Sequence, residues 1–326
     1  MIRRREFVAG AAALAVMGLS RAQSQMPLPR IGLLFAAAPP AVAARVNALG
    51  EGLAALGLVE GRQYAFEARY ADGDLGRLPA LAAELVRLPV NIIVTGGSSA
   101  TGPAVRATRS IPIVMAQDND PVASGFVASL ARPGGNVTGF ATVVPELAGK
   151  QLALLAEIVP GLGRVAVFGD SGEAGNAQSV AEAMAAAGRL KLEVAYADVR
   201  KEGSPAKLVE AAVHGRAGAV LVLASAYLFA RQNELIALAH KHRLPAIYAH
   251  PEYVLAGGLA TYGVNVIELF RRSAVYIVKI LGGTSPAGLP VEQPTKFELV
   301  INMKTARALG LTIPQSVLVR ADEVVQ

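Results

Sequence analysis

The residues with chemical reach sit in a few short loops. Thr95-Gly96-Gly97-Ser98-Ser99 places two glycines and two hydroxyls between an apolar run at 91–95 and a helix-like stretch at 99–108. A helix opening there turns unpaired N–H groups and a positive dipole end toward the loop. This suits a carboxylate, at about 0.3–1 kcal/mol from the dipole and up to about 2 kcal/mol when partly buried. Ser98 or Ser99 could equally cap the helix, and the two roles are compatible. Asp118-Asn119-Asp120-Pro121 follows the next apolar run. Its carboxylates could do acid/base work or hold a substrate ammonium, and Asp120 could instead cap a helix opening at Pro121. Further along, Ser225 and Tyr227 follow another strand-like run, and His250 lies in Tyr248-Ala249-His250-Pro251. Tyr227 could offer a stacking face with a polar tip, or pack in the core; Ser225 could be a local cap, and His250 a plain surface residue.

Other chemistries lack their residues. The chain of 326 residues has no cysteine, which excludes disulfides, thiolate metal sites and a cysteine nucleophile. His240 and His242 would stand roughly 200° apart on a helix, and His214 lies on another element, so no zinc pair forms and no metal or cofactor is expected. No phosphate loop, dinucleotide fingerprint, Gly-x-Ser-x-Gly elbow or His-Glu-x-x-His helix has supporting context, which makes an enzyme the weaker reading.

The elements that must position these loops alternate. Strand-like runs at 31–35, 64–70, 91–95 and 111–115 are separated by helix-like stretches at 41–56, 75–88 and 99–108. Short, nearly continuous apolar strands between helices indicate βαβ units with a parallel sheet covered on both faces. After Gly139 a second series begins: strands at 164–168, 191–197, 219–223 and 245–248, with helices at 146–158, 177–188, 205–214 and 227–242. A strand at 257–262, a long helix at 267–281, a proline-bearing segment at 286–294, a strand at 297–301 and a helix at 303–309 leave too little chain for a third domain. The expected architecture is α/β: two Rossmann-like lobes with parallel sheets joined by three crossovers. Lobe 1 takes 23–140 plus 257–287, and lobe 2 takes 141–256 plus 288–326. The expected hinge residues are Thr138, Gly139, Gly257, Gly258 and Pro290, where glycines turn the chain and prolines stiffen it. Such lobes set the carboxyl ends of both sheets around one cleft, where open α/β sheets bind ligands.

The N-terminus reads as an address. Arg3, Arg4 and Arg5 precede a run of uncharged, mostly small and apolar residues that ends at Ser20-Arg21-Ala22, the pattern of a signal peptide over 1–22. Arg4-Arg5-Glu6-Phe7-Val8 resembles a twin-arginine export signal, and the ordinary secretory route fits as well. The +6 formal charge is concentrated there: without that segment 27 basic residues face 24 acidic ones, too even for a nucleic-acid partner.

From Asp120 to Gly139 the chain reads DPVASGFVASLARPGGNVTG, and with GLAALGLVEGR from Gly52, RLPALAAELVRLPVNIIVTGG from Arg77, AGGLATYG from Ala256, RRSAVYIVKILGG from Arg271 and the block from Leu289 to Gln326 it resembles the ABC transporter substrate-binding protein family, tryptophan/tyrosine type. The resemblance covers essentially everything after the leader. It implies a type I periplasmic-binding-protein architecture, a small-molecule ligand gripped between two lobes, delivery to a membrane permease and its ATPase, a periplasmic location, a monomer and no enzymatic activity. If the ligand is an aromatic amino acid, the resemblance puts its carboxylate at Ser98 and Ser99 and its ammonium at the Asp118–Asp120 loop. The first loop, Ala36-Ala37-Ala38-Pro39-Pro40, offers no side-chain hydrogen bonds, and one apolar wall also suits a branched carboxylate. A sensory binding protein, or an exported α/β hydrolase using Asp118 and His250, stays open as an alternative.

Overall fold

The computed structural model describes residues 28–142 and 146–326; the leader expected over 1–22 lies outside them. In chain order the strands are β1 (Arg30–Phe35), β2 (Ala65–Tyr70), β3 (Ile92–Gly96), β4 (Ile113–Asp118), β5 (Val137–Ala141), β6 (Arg164–Gly169), β7 (Glu193–Asp198), β8 (Ala219–Val222), β9 (Ala246–Tyr248), β10 (Ala260–Gly263), β11 (Glu298–Asn302) and β12 (Glu323–Val325). The helices are α1 (Pro39–Ala55), α2 (Leu78–Arg87), α3 (Ser98–Ala107), α4 (Leu147–Ile158), α5 (Asn176–Leu190), α6 (Val199–Glu202), α7 (Pro205–His214), α8 (Ala226–Ala230), α9 (Gln232–Lys241), α10 (Pro251–Leu255), α11 (Val266–Leu281), α12 (Met303–Ala308) and α13 (Gln315–Leu318).

Two sheets form, ordered β2-β1-β3-β4-β5 and β12-β11-β10-β9-β8-β6-β7. The first is parallel throughout; the second is parallel except where β11 runs antiparallel to β10. The central strands are buried from end to end, as near-continuous apolar runs require when helices cover both faces. One apolar cluster continues from lobe 1 into lobe 2, joining Phe35, Val42 and Phe270 to Phe229 and Tyr253, while separate clusters fill the outer face of each sheet. α11 returns to lobe 1 and packs along α1 and β4.

The crossings differ in place from the sequence expectation. Residues 137–139 belong to β5, an edge strand of the first sheet, so the first crossing begins only after Ala141. Gly257 and Gly258 precede β10, which pairs with β9 and β11. The chain has not left lobe 2 there, and the return follows Gly263. Pro290 lies in a segment tied to β5: Thr138 Oγ1 donates to the Leu289 carbonyl at 2.7 Å, and the Glu292 N–H donates to the Gly139 carbonyl at 2.9 Å. Residues 257–263 therefore go with lobe 2 and 289–292 with lobe 1, and the third crossing follows Glu292. The expected helix at 227–242 is two helices, α8 and α9, meeting at Arg231.

Gly139 shows why β5 tolerates no side chain there. Its φ of +130° is a conformation L-residues rarely adopt, and a Cβ would stand 2.1 Å from the Met115 carbonyl oxygen of β4. Gly139→Ala should therefore destabilise the protein by about 3 kcal/mol or more, from strain plus steric overlap with neighbouring backbone. Urea denaturation checks this; a loss below about 1 kcal/mol would show that β5 adjusts freely.

Candidate functional site

The carboxyl ends of both sheets meet at a cleft lined from lobe 1 by Phe35, Val42, Arg45, Gly97, Ser98, Gln117 and Asn119, and from lobe 2 by Glu173, Ser225, Phe229 and His250. The site follows from topology. In parallel strands the loops after the carboxyl ends share one edge, so 96–98 after β3, 117–119 after β4, 170–173 after β6 and 224–226 after β8 converge. A second hollow of about 750 Å³ adjoins it and shares Asn119, Ala224 and His250.

On the lobe 1 side, Gly97 precedes α3 with φ of +105°. That turn aims the first N–H groups of a ten-residue helix at the cleft. Ser98 Oγ donates to Asp118 Oδ1 at 2.8 Å and accepts from the Asn119 N–H at 3.3 Å. Ser99 does not line the cleft; its hydroxyl is buried without a hydrogen-bond partner among the described residues. Asp118 is 0% exposed and does not line the cleft either. It sits behind Ser98, holding that hydroxyl in place. Burial pushes its carboxyl up to about 7, outweighing the hydrogen bonds from Ser98 and Thr101, and the charges of Glu173 and Asp120 add to the rise. Asp120 accepts from the Ala123 N–H at 3.0 Å and serves as a turn cap.

On the lobe 2 side, Glu173 is the carboxylate that faces the cleft. Its Oε1 accepts from the Ala226 N–H at 2.9 Å, and its Oε2 accepts from Asn119 Nδ2 at 3.4 Å across the seam. Burial raises its pKa, opposed by the Ala226 N–H. Ser225 caps α8, with the Leu228 N–H donating to its Oγ at 3.2 Å, while that hydroxyl donates to Asp170 Oδ2 at 3.0 Å. Tyr227 turns away from the cleft: its hydroxyl donates to the Gly203 carbonyl, and its ring lies 3.8 Å beneath the Arg231 guanidinium. Arg231 in turn donates to the Gly73 carbonyl of lobe 1 at 3.2 Å.

His250, Arg45 and Glu252 form the third wall. Arg45 on α1 and Glu252 on α10 come from opposite lobes, are 3% and 6% exposed, and pair Nε to Oε1 at 2.5 Å. The Arg45 guanidinium also lies over the Phe229 ring at 4.2 Å. Burial alone would raise the Glu252 carboxyl, but the Arg45 charge and hydrogen bond leave it below its ordinary range. Burial lowers the His250 imidazole to about 4, helped by the Arg45 charge, so it is neutral at pH 7.

Of the residues singled out from sequence, Ser98, Ser225 and His250 line the cleft, whereas Ser99, Asp118, Asp120 and Tyr227 do not. Asn119, Glu173, Arg45, Phe35 and Phe229 line it without having been singled out. Arg45 did leave a signal: it lies between Val42 and Leu49 on the apolar stripe of a helix, where a cation needs an inward partner. Asp118 and His250 do not share the cleft, so they make no acid/base pair. Among the described residues no group of three or more His, Asp or Glu side chains could hold a metal.

Two α/β lobes joined by three crossings around one cleft define the type I periplasmic-binding-protein fold. Residues 30–325 match the family model described as ABC transporter substrate binding protein, and the chain belongs to that family. It is similar to the "Tyrosine-binding protein" of Clostridioides difficile (strain R20291), 26% identical over 78% of this chain and 73% of the relative. Among solved structures it resembles an ABC domain from Streptococcus pneumonia in complex with L-Trp, at 26% identity and TM-score 0.82 over 91% of this chain and 100% of that one. A conserved domain protein from Vibrio cholerae O1 biovar El Tor gives 28% identity and TM-score 0.81, over 91% and 99%. The chain is thus the substrate-binding component that serves an ABC transporter, binding a small molecule, and is not an enzyme.

Asp118 gives a pH prediction. Its folded pKa of about 7 lies above the ordinary 3.8, so the fold favours the protonated acid. This contribution penalises the fold increasingly as pH rises from about 4 to about 7 and stays constant above. Asp118→Asn mimics the protonated form, and the stability of that variant relative to wild type should rise by about 1–3 kcal/mol between pH 5 and pH 8. Paired urea titrations at the two pH values measure it; a constant difference would mean that Asp118 stays ionised.

Proposed function

We propose that the protein captures a free α-amino acid outside the cytoplasm and delivers it to the permease of an ABC importer, powered by a cytoplasmic ATPase. The observation that carries this reading is the facing of two complementary groups across the seam. The N-terminal end of α3, with Gly97 and Ser98, opens into the cleft from lobe 1, and the Glu173 carboxylate faces it from lobe 2. A carboxylate fits the first and an ammonium the second, with Gln117 and Asn119 between them. Glu173 takes the role that the sequence suggested for the 118–120 loop. The apolar stretch lined by Phe35, Val42 and Phe229 then accepts the side chain. The similarity to a tyrosine-binding protein and to a structure holding L-Trp supports an aromatic one.

A ligand held by both lobes stabilises their closed arrangement. Moving the population from 1:99 to 99:1 needs about 5.5 kcal/mol of preference for the closed form. Two charge-assisted contacts at about 1.5–3 kcal/mol each, with a buried ring, are of that order. The basic leader and its 13 uncharged residues support export, and the protein acts as a monomeric carrier in the periplasm.

A thermal-shift screen of the purified protein tests the proposal. Free L-aromatic amino acids should raise Tm, by about 2.7 kcal/mol of stabilisation at 100 times Kd. Their methyl esters and N-acetyl derivatives should not. Glu173→Gln should weaken binding by about 10–100-fold, corresponding to roughly 1.4–2.8 kcal/mol, as followed by calorimetry. Stabilisation by sugars or purines with no response to amino acids would overturn the reading.

A further inference from the structure

The wall formed by Arg45 and His250 holds polar groups that the contacts assigned to an amino-acid head leave unused. Arg45 spends its Nε on Glu252, yet its Nη2 is buried without a hydrogen-bond partner among the described residues. His250 Nδ1 is buried and unpartnered in the same way. Both residues line the cleft, and both pack against one ring: the Arg45 guanidinium lies 4.2 Å from the Phe229 centroid, and the His250 ring stands edge-on to it at 5.8 Å. Buried donors and acceptors of this kind are ordinarily satisfied, and two left open beside one cavity point to something the cavity receives.

We infer that this wall of the cleft reads a hydroxyl on the ligand's side chain, with Arg45 and His250 as the specificity-determining residues. The inference rests on the amino-acid reading above. Charge and valence decide the class. Arg45 and Glu252 cancel, and His250 is neutral, so a charged tail would bring an uncompensated charge into a dry seam. A bare hydrocarbon tail would leave Nη2 and Nδ1 unpaired. A hydroxyl accepts from the Arg45 Nη2–H and, with the imidazole proton on Nε2, donates to His250 Nδ1. The cleft also carries Phe35, Val42 and Phe229, so the linker to that hydroxyl is apolar.

The test uses two pairs of probes differing by one oxygen, L-tyrosine against L-phenylalanine and L-threonine against L-2-aminobutyrate, titrated calorimetrically into the wild-type protein. Whichever pair binds, the hydroxyl-bearing member should bind at least tenfold more tightly, because its deoxy partner strands the buried polar atoms. Arg45→Met alone would strand Glu252 and could unfold the protein, so the variant combines it with Glu252→Met. In this double variant, and separately in His250→Leu, the preference should fall to about threefold or less while the deoxy member still binds. Equal binding of both members by wild type, or an undiminished preference in both variants, overturns the inference and leaves the amino-acid reading standing. Failure of all four probes overturns the inference, and the thermal-shift screen above, which includes L-tryptophan, decides the amino-acid reading separately.

Discussion

The closed cleft depends on a charge pair that neither lobe can satisfy by itself. Arg45 and Glu252 are each almost fully buried, one on α1 and the other on α10. An isolated ion in such a place is costly, and removing one partner of a buried pair typically costs about 3–5 kcal/mol. The pair is therefore a condition on how the lobes sit: each charge is tolerable there only when the other lobe supplies its partner. Packing extends the condition in both directions. Arg45 lies over Phe229 of lobe 2 and 5.9 Å from the Phe270 ring of α11, and Phe229 meets Tyr253, next to Glu252, edge-on. The same cluster is thus a wall of the cleft and part of the apolar continuity between the lobes.

From that wall the other features follow by topology. α11 leaves lobe 2 after β10 and packs along α1, so the helix carrying Arg45 is braced by the segment that made the second crossing. β5 and residues 289–292 run side by side, coupling the first and third crossings through the Thr138 hydroxyl and the Glu292 N–H, and α11 joins them where Tyr276 meets the Phe140 ring and donates to the Pro290 carbonyl. The cleft draws polar groups from both lobes, Ser98, Gln117 and Asn119 from the first and Glu173, Ser225 and His250 from the second, so the relative placement of the lobes decides whether these groups stand together.

Much of the fold was legible because its strands are short apolar runs at regular spacing. The parallel βαβ series, both lobes and the three crossings follow from that periodicity. The places of the crossings did not. Val137-Thr138-Gly139 reads as a crossing because Pro133-Gly134-Gly135-Asn136 turns the chain just before it, yet pairing with β4 makes residues 137–141 a strand. Gly257-Gly258 looks like a hinge, but the glycines end a short helix before an ordinary sheet strand. The site divides similarly. Ser98, Ser225 and His250 were readable as residues following strands. Glu173 sits in Ser171-Gly172-Glu173-Ala174, a loop without periodicity or motif, and its partners, Ala226 of its own lobe and Asn119 of the facing one, come from distant parts of the chain.

The contrast between Asp118 and Glu173 shows what sequence position alone leaves undetermined. Both carboxylates follow strands that end at the cleft, and burial raises the pKa of both. Asp118 lies inside lobe 1 with Ser98 donating to Oδ1, while Oδ2 has no hydrogen-bond partner among the described residues, an environment that suits a neutral acid. Glu173 has an N–H donating to one oxygen and an amide reaching the other from the facing lobe, with the Arg200 charge nearby also opposing the rise. The first arrangement fixes a hydroxyl; the second presents a carboxylate oxygen to whatever enters. A ligand ammonium would favour the ionised form of Glu173 by the same electrostatics that burial works against. The charge of the cleft rests on this one side chain, while Asp118, shielded behind Ser98, holds the 96–99 loop in shape from outside the cleft.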